Sequence, residues 1–108
     1  MTVDFEQTLP AYQAREAINI LCKWHNLVEP KVRIYVKPHK KVNGSFRAPD
    51  HIALYPPLTL DVIVHEMSHY ANWTWRRVVG HGYDLHEAVV VLMKDVLITE
   101  DYRSRIPR

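Results

Sequence analysis

The sequence predicts an α+β fold in which one helix precedes a short, mostly antiparallel sheet and two helices follow it. Helical spacing of apolar residues occurs near both ends of the chain, and strand-like alternation is confined to the middle. This segregation is typical of α+β domains, whereas α/β domains alternate the two element types. The length of 108 residues and the 47% content of hydrophobic residues suit one folded unit, which we expect to span residues 1–108.

The first helix is predicted over residues 10–26, with Thr8 as a candidate N-cap. Its inward stripe is predicted to contain Ala14, Ala17, Ile18, Leu21, Cys22 and His25. Two or three strands follow. Residues 32–37 alternate apolar and polar side chains, residues 45–47 are predicted to form a short strand, and residues 51–55 (HIALY) to form another.

Two further helices complete the predicted fold. The second covers residues 60–73, with Thr59 or Asp61 as its N-cap. The third covers residues 81–98. Its buried stripe is predicted to contain Leu85, Ala88, Val89, Leu92 and Val96.

The cysteine content limits the kinds of site that the chain can form. Cys22 is the only cysteine, which excludes an internal disulfide and a zinc site made of several thiolates. The first ten residues lack a basic segment followed by an apolar one, and the longest aliphatic run, residues 88–93, is too short to cross a bilayer. We therefore expect a cytoplasmic protein with no membrane insertion.

The strongest functional signal is HEMSH at residues 65–69, an H-E-x-x-H pattern on the second predicted helix. His65 and His69 are four residues apart, so their side chains lie about 40° apart around the helix axis and can bind one cation. Glu66 lies about 100° from His65, where it can contact a water near the ion without binding the ion. The spacing therefore predicts two metal ligands and a base.

Catalytic zinc usually has three protein ligands and one open position, so a third ligand must come from elsewhere. We predict His81, because a glycine on each side lets the backbone approach the site and because His81 begins the stripe of the third helix. His86 and the carboxylates of Asp84 or Glu87 are the alternatives. If they are not ligands, Asp84 is expected to support the site from outside the coordination shell, and His86 to be structural or on the surface.

These motifs resemble a known family. HEMSH followed by GHGYDL is similar to the pattern of the SprT-like zinc metallopeptidases, which include the Spartan proteases of DNA–protein crosslink repair. The residues that match are His65, Glu66, His69, His81 and Gly82, with Leu85 at the apolar position. The stretch GSFRAPDHIALYP is also similar to the strand pair that leads into the family's metal helix, so the resemblance covers about residues 30–95. It implies a small zincin-like peptidase core whose substrates include DNA-associated proteins.

We therefore expect a zinc metallopeptidase in which Zn²⁺ is bound by His65, His69 and His81, and Glu66 is the general base for attack of water on a peptide bond. A polypeptide substrate is expected to pair with residues 51–55 as an exposed sheet edge.

A donor to the developing oxyanion is expected from Tyr83, Arg76 or Arg77, each of which is otherwise an ordinary surface residue. Two other functions fit the same motif. One is a zinc-stabilised module that binds nucleic acid or protein without hydrolysis, although a structural site has no need of Glu66. The other is a regulatory metalloprotease that cleaves a single repressor partner, which a carboxylate in place of His81 would favour.

Basic residues are concentrated in two segments, residues 30–50 and the last six residues. The cations considered for a partner are Lys37, Lys40, Lys41, Arg47, Arg103, Arg105 and Arg108. Clusters of this size are usually solvated surface, and the alternative is contact with the phosphates of DNA.

Overall fold

Three helices and three strands make up the part of the chain that the computed structural model describes, which is residues 3–78, 80, 83–100 and 102, with residues 83–85 described by their backbone alone. In chain order these elements are α1 (Ala11–Trp24), β1 (Lys31–Ile34), β2 (Gly44–Arg47), β3 (His51–Leu54), α2 (Leu60–Arg76) and α3 (Tyr83–Glu100). The order of one helix, three strands and two helices confirms the α+β class.

The helices begin close to their predicted positions. Pro10 is the N-cap of α1, with no side-chain cap. Thr8 is not the cap, because it lies two residues earlier and forms an isolated bridge with Thr59. The hydroxyl of Thr59 accepts a hydrogen bond from the Val62 amide at 3.3 Å and caps α2. None of the helices in the described ranges is long and apolar enough to cross a membrane.

The sheet is mixed, and β3 is its central strand, in the order β1-β3-β2. β2 and β3 are antiparallel, with Phe46 opposite Ile52, whereas β1 and β3 are parallel, with Val32 opposite Ile52. The expectation of a mostly antiparallel sheet is therefore wrong for one of the two pairings. The connection from β2 to β3 spans only residues 48–50, which is too short for a parallel crossover, so β2 and β3 pair antiparallel and β1 takes the other edge of β3.

The hydrophobic core lies between one face of the sheet and the helices. Along β3, Ile52 and Leu54 are buried in this core, whereas His51 and Ala53 are half-buried and point to the opposite face. Cys22 of α1 is also in the core. Burial, and to a lesser extent the nearby Glu29, raises the pKa of its thiol to about 12, so the thiol stays protonated. Cys22 is therefore a packing residue.

The buried stripe of α3 contains Val89 and Val96, as predicted, but otherwise differs from the predicted stripe. Ala88 and Leu92 are exposed, Leu92 to 51%, and the side chain of Leu85 lies outside the described residues. The residues that α3 buries are His86, Val89, Met93, Val96 and Leu97. Met93 packs against α2, where its sulfur lies 3.6 Å from the hydroxyl of Ser68. The small Ser68 side chain lets the two helices approach there, and this orientation of α3 also buries His86.

Candidate metal centre

The H-E-x-x-H motif lies in the middle of α2, and its placement on the second helix is as predicted. Ile63 and Met67 of this helix are fully buried in the core, whereas His65 and His69 are half-buried at its side. The imidazole rings of the two histidines are 4.7 Å apart, and their Nε2 atoms are 3.2 Å apart. Two imidazole nitrogens bound to one tetrahedral zinc ion, at about 2.1 Å each, are separated by roughly 3.4 Å. The pair therefore has the spacing of two ligands of one ion.

His86 of α3 completes a cluster of three imidazoles. Its ring centroid lies 4.6 Å from that of His65 and 4.4 Å from that of His69. One ring nitrogen from each histidine lies within 4.8 Å of the other two, and His86 itself is only 4% exposed. The three histidines are close enough to hold a metal ion.

The predicted third ligand, His81, lies outside the described residues, as does the side chain of Asp84. Of the alternatives, His86 is in the cluster, and Glu87 is exposed and not part of it. A signal for His86 is present in the sequence, because a second set of residues also has helical spacing and shares Val89 and Val96 with the predicted stripe. This set contains His86, Val89, Met93, Val96 and Leu97. Choosing between two such stripes requires knowledge of how α3 packs on α2.

Glu66 is buried between α2 and the start of β2. Its side chain is 6% exposed, and burial raises its pKa to about 7. Gly44 makes this position available, since a Cβ atom there would lie 2.8 Å from Cγ1 of Val62, 3.0 Å from Cγ of Glu66 and 3.2 Å from its Oε2. The missing side chain at residue 44 thus lets β2 lie directly against the carboxyl group.

A groove of about 330 Å³ opens where β2 meets α2. The residues that line it are Val42, Asn43, Gly44, Asp61, Val62, His65 and Glu66. The groove therefore reaches both a histidine of the cluster and the buried carboxyl group. In the described sheet β2 pairs with β3 alone and is an edge strand, so its outer backbone groups face this side of the molecule. The prediction that a substrate pairs with residues 51–55 is wrong, because β3 is paired with a strand on both sides and has no exposed edge.

The predicted oxyanion donors do not line this groove in the described part of the chain. Arg76 donates a hydrogen bond to the side-chain oxygen of Asn72 at 2.9 Å. Arg77 ends α2 in a left-handed conformation and donates to the carbonyl of Trp73 at 3.0 Å. The side chain of Tyr83 lies outside the described residues. Both arginines therefore make hydrogen bonds within the carboxyl-terminal end of α2.

Comparison of the chain with protein-family models, with curated proteins and with solved structures finds no match in any of the three. The resemblance to the SprT-like metallopeptidases therefore stays a prediction. The functional interpretation therefore rests on three features of the chain itself, which are the three imidazoles, the buried carboxyl group and the groove beside an edge strand.

Proposed function

We propose that this protein is a zinc-dependent metallopeptidase of zincin-like architecture, with the metal held by His65, His69 and His86. The observation that carries this proposal is the buried carboxyl group of Glu66 next to a three-histidine cluster, at a groove that both reach. Two imidazoles from one helical turn and a third from another element form a ligand set of catalytic zinc, which keeps a fourth position open. Imidazole nitrogen suits Zn²⁺ better than it suits Mg²⁺ or Ca²⁺.

The chemistry divides between the ion and Glu66. Zinc in such a site supplies Lewis-acid activation of a water molecule and of the peptide carbonyl. Glu66 accepts the proton of the attacking water on a carboxylate oxygen while the new C–O bond forms. It then delivers this proton to the amide nitrogen while the C–N bond breaks. The burial of Glu66 against Gly44 keeps the carboxyl group in one place through both transfers.

The substrate we propose is an extended polypeptide that lies along β2. An edge strand can bind such a chain through backbone hydrogen bonds, with little selection for its side chains. A peptide added at β2 runs past the groove lined by Gly44, His65 and Glu66. Its carbonyl groups therefore pass the position where the base and the metal ligands meet.

A metal-stabilised binding module is the second candidate, favoured by the fact that the cluster joins α2 to α3. In that function the ion contributes to folding and no bond is cleaved. The binding module does not explain why Glu66 is buried, since burying a carboxyl group costs free energy and a structural metal site does not need a base. A regulatory peptidase that cuts one repressor has less support, because the cluster in the described residues contains histidines only.

The substitution Glu66→Gln separates the two candidates. It keeps the size of the side chain and removes the base. We expect zinc content and melting temperature to stay close to those of the wild type, while cleavage of denatured casein falls by about 10²-fold or more. The matched control is Glu87→Gln, the same change at an exposed position on α3, which we expect to leave all three measurements unchanged.

Equal cleavage by the wild type and Glu66→Gln would rule out Glu66 as the base. A wild-type protein that binds one zinc ion per chain but cleaves neither denatured casein nor a library of unfolded peptides would favour the binding module. Zinc content is measured by atomic absorption, and cleavage by the release of acid-soluble peptides.

A further inference from the structure

A second cavity, of about 360 Å³, lies on the face of the sheet that points away from the helices. The side chains that line it come from all three strands, and none of the described residues that line it is acidic. Lys31, Arg33 and Arg47 surround it with three positive charges, and all three are exposed. This cavity does not include the groove at Glu66, because the two lie on opposite faces of the sheet.

Strand register explains why these side chains form a cavity. Lys31 and Arg47 both pair with His51, so the two cations stand on either side of the central strand in one row. In the next row Arg33 and Ser45 both pair with Ala53. Neighbouring strands are about 4.8 Å apart, and long side chains therefore rise around a floor made of two small ones, Ala53 and Ser45.

Aromatic rings form one wall of the cavity. Tyr35 and Tyr55 are stacked, with ring centroids 4.7 Å apart and an angle of 11° between the rings. The guanidinium carbon of Arg33 lies 4.9 Å from the centroid of Tyr35 and extends this column. Guanidinium planes and aromatic rings are the surfaces on which unpaired nucleobases stack.

We propose that this cavity binds single-stranded nucleic acid, with phosphate groups at Lys31 and Arg47 and a base against the column of Arg33, Tyr35 and Tyr55. The charges match a polyanion, and the aromatic wall matches a ligand with exposed base faces. In a duplex the base faces are stacked on one another and cannot contact the aromatic wall. The carboxylates of an acidic peptide could bind the cations but would not stack on the aromatic wall. The exposed cations of the β1–β2 connection, Lys37, Lys40 and Lys41, extend the positive surface beyond the cavity.

The test is fluorescence anisotropy with the full chain and a fluorescein-labelled oligo(dT) of about 15 nucleotides, over a salt series from about 50 mM. The variant Arg33→Gln/Arg47→Gln removes two charges from the cavity. The control Arg15→Gln/Lys23→Gln removes two exposed charges from α1. We expect the cavity variant to bind more than about tenfold more weakly, and the control to bind as the wild type does. If both arginines contact phosphate, the slope of log K against log salt becomes shallower by about 1.4.

The proposal does not depend on peptidase activity, and each remaining outcome overturns it. These outcomes are no binding by the wild type at low salt, equal loss in the cavity and control variants, tighter binding of a duplex of the same length, and equal binding of a labelled glutamate-rich peptide. If Arg33→Gln/Arg47→Gln does not fold, as judged by its circular dichroism, the single variant Lys31→Gln takes its place with Lys23→Gln as its control.

Discussion

At the residue scale, the three histidines of the cluster are not equivalent. His65 and His69 share one turn of α2, so their spacing is set by the helix itself. His86 comes from α3 and is held by the packing of that helix. Its removal therefore tests the cluster without changing the helix that carries the motif.

We predict that His86→Ala binds zinc much more weakly than the wild type, whereas His81→Ala binds it normally. Loss of a partner outside the coordination shell already costs about 10–100-fold in affinity, and loss of a ligand should cost more. Affinity is measured by competition with a chromophoric chelator. Normal binding by His86→Ala together with weak binding by His81→Ala would show that His81, the ligand predicted from the sequence, is the third ligand.

The part of the site that follows from local geometry could be predicted from the sequence. The relation of His65, Glu66 and His69 depends only on helical rotation, so the spacing in the sequence is sufficient. The positions of His86 and Gly44 depend on how α3 and β2 pack on α2. That packing is decided by side chains far apart in the sequence, such as Ser68 and Met93, and spacing along one element does not report it.

At the scale of elements, α3 presents adjacent residues to opposite environments. Met93 is fully buried, and Leu92 is 51% exposed. Leu92 belongs to the predicted stripe and Met93 does not, so the sequence predicts burial of Leu92. In the structure the burial is the reverse, because Met93 is in the core and Leu92 is largely in water.

We predict that Met93→Ala lowers the free energy of unfolding by about 2–5 kcal/mol, because it leaves a cavity between α2 and α3. Leu92→Ala should lower it by less than about 1 kcal/mol, since much of the side chain is already in water. Urea denaturation followed by circular dichroism measures both. The opposite order would show that the predicted stripe is the buried one.

The number, type and approximate bounds of the elements could be predicted because each has its own periodicity. The sequence predicts three helices and two or three strands, and the described chain has three of each. Thr59, one of two predicted candidates, caps α2. Sheet order could not be predicted in this way. β2 follows β1 in the chain but lies on the far side of β3, and alternation within a strand does not say which neighbour it pairs with.

At the scale of the whole molecule, the histidine cluster links α2 and α3, which also meet through apolar packing, the contact of Ser68 with Met93 and the ion pair of Lys94 with Asp61 at 3.1 Å. An ion bound only by the folded protein raises its stability by about 2.7 kcal/mol when the free ion is at a hundred times its dissociation constant. For a domain of this size we predict that zinc raises the melting temperature by about 10 °C or more. Differential scanning calorimetry with and without a chelator measures this shift. His69→Ala should show little of it.

The two ends of α3 are held by different means. Near its carboxyl end, the indole nitrogen of Trp24 donates a hydrogen bond to Glu100 at 2.8 Å, and Tyr102 beyond the helix is fully buried. Near its amino end, His86 lies against the histidines of α2. A metal bridge would therefore change how often one end of the helix opens locally, separately from global unfolding. We predict that zinc slows amide hydrogen exchange more in residues 87–90 than in residues 96–99, which hydrogen exchange with mass spectrometry can resolve. Uniform slowing along α3 would mean that the helix opens only as a single unit.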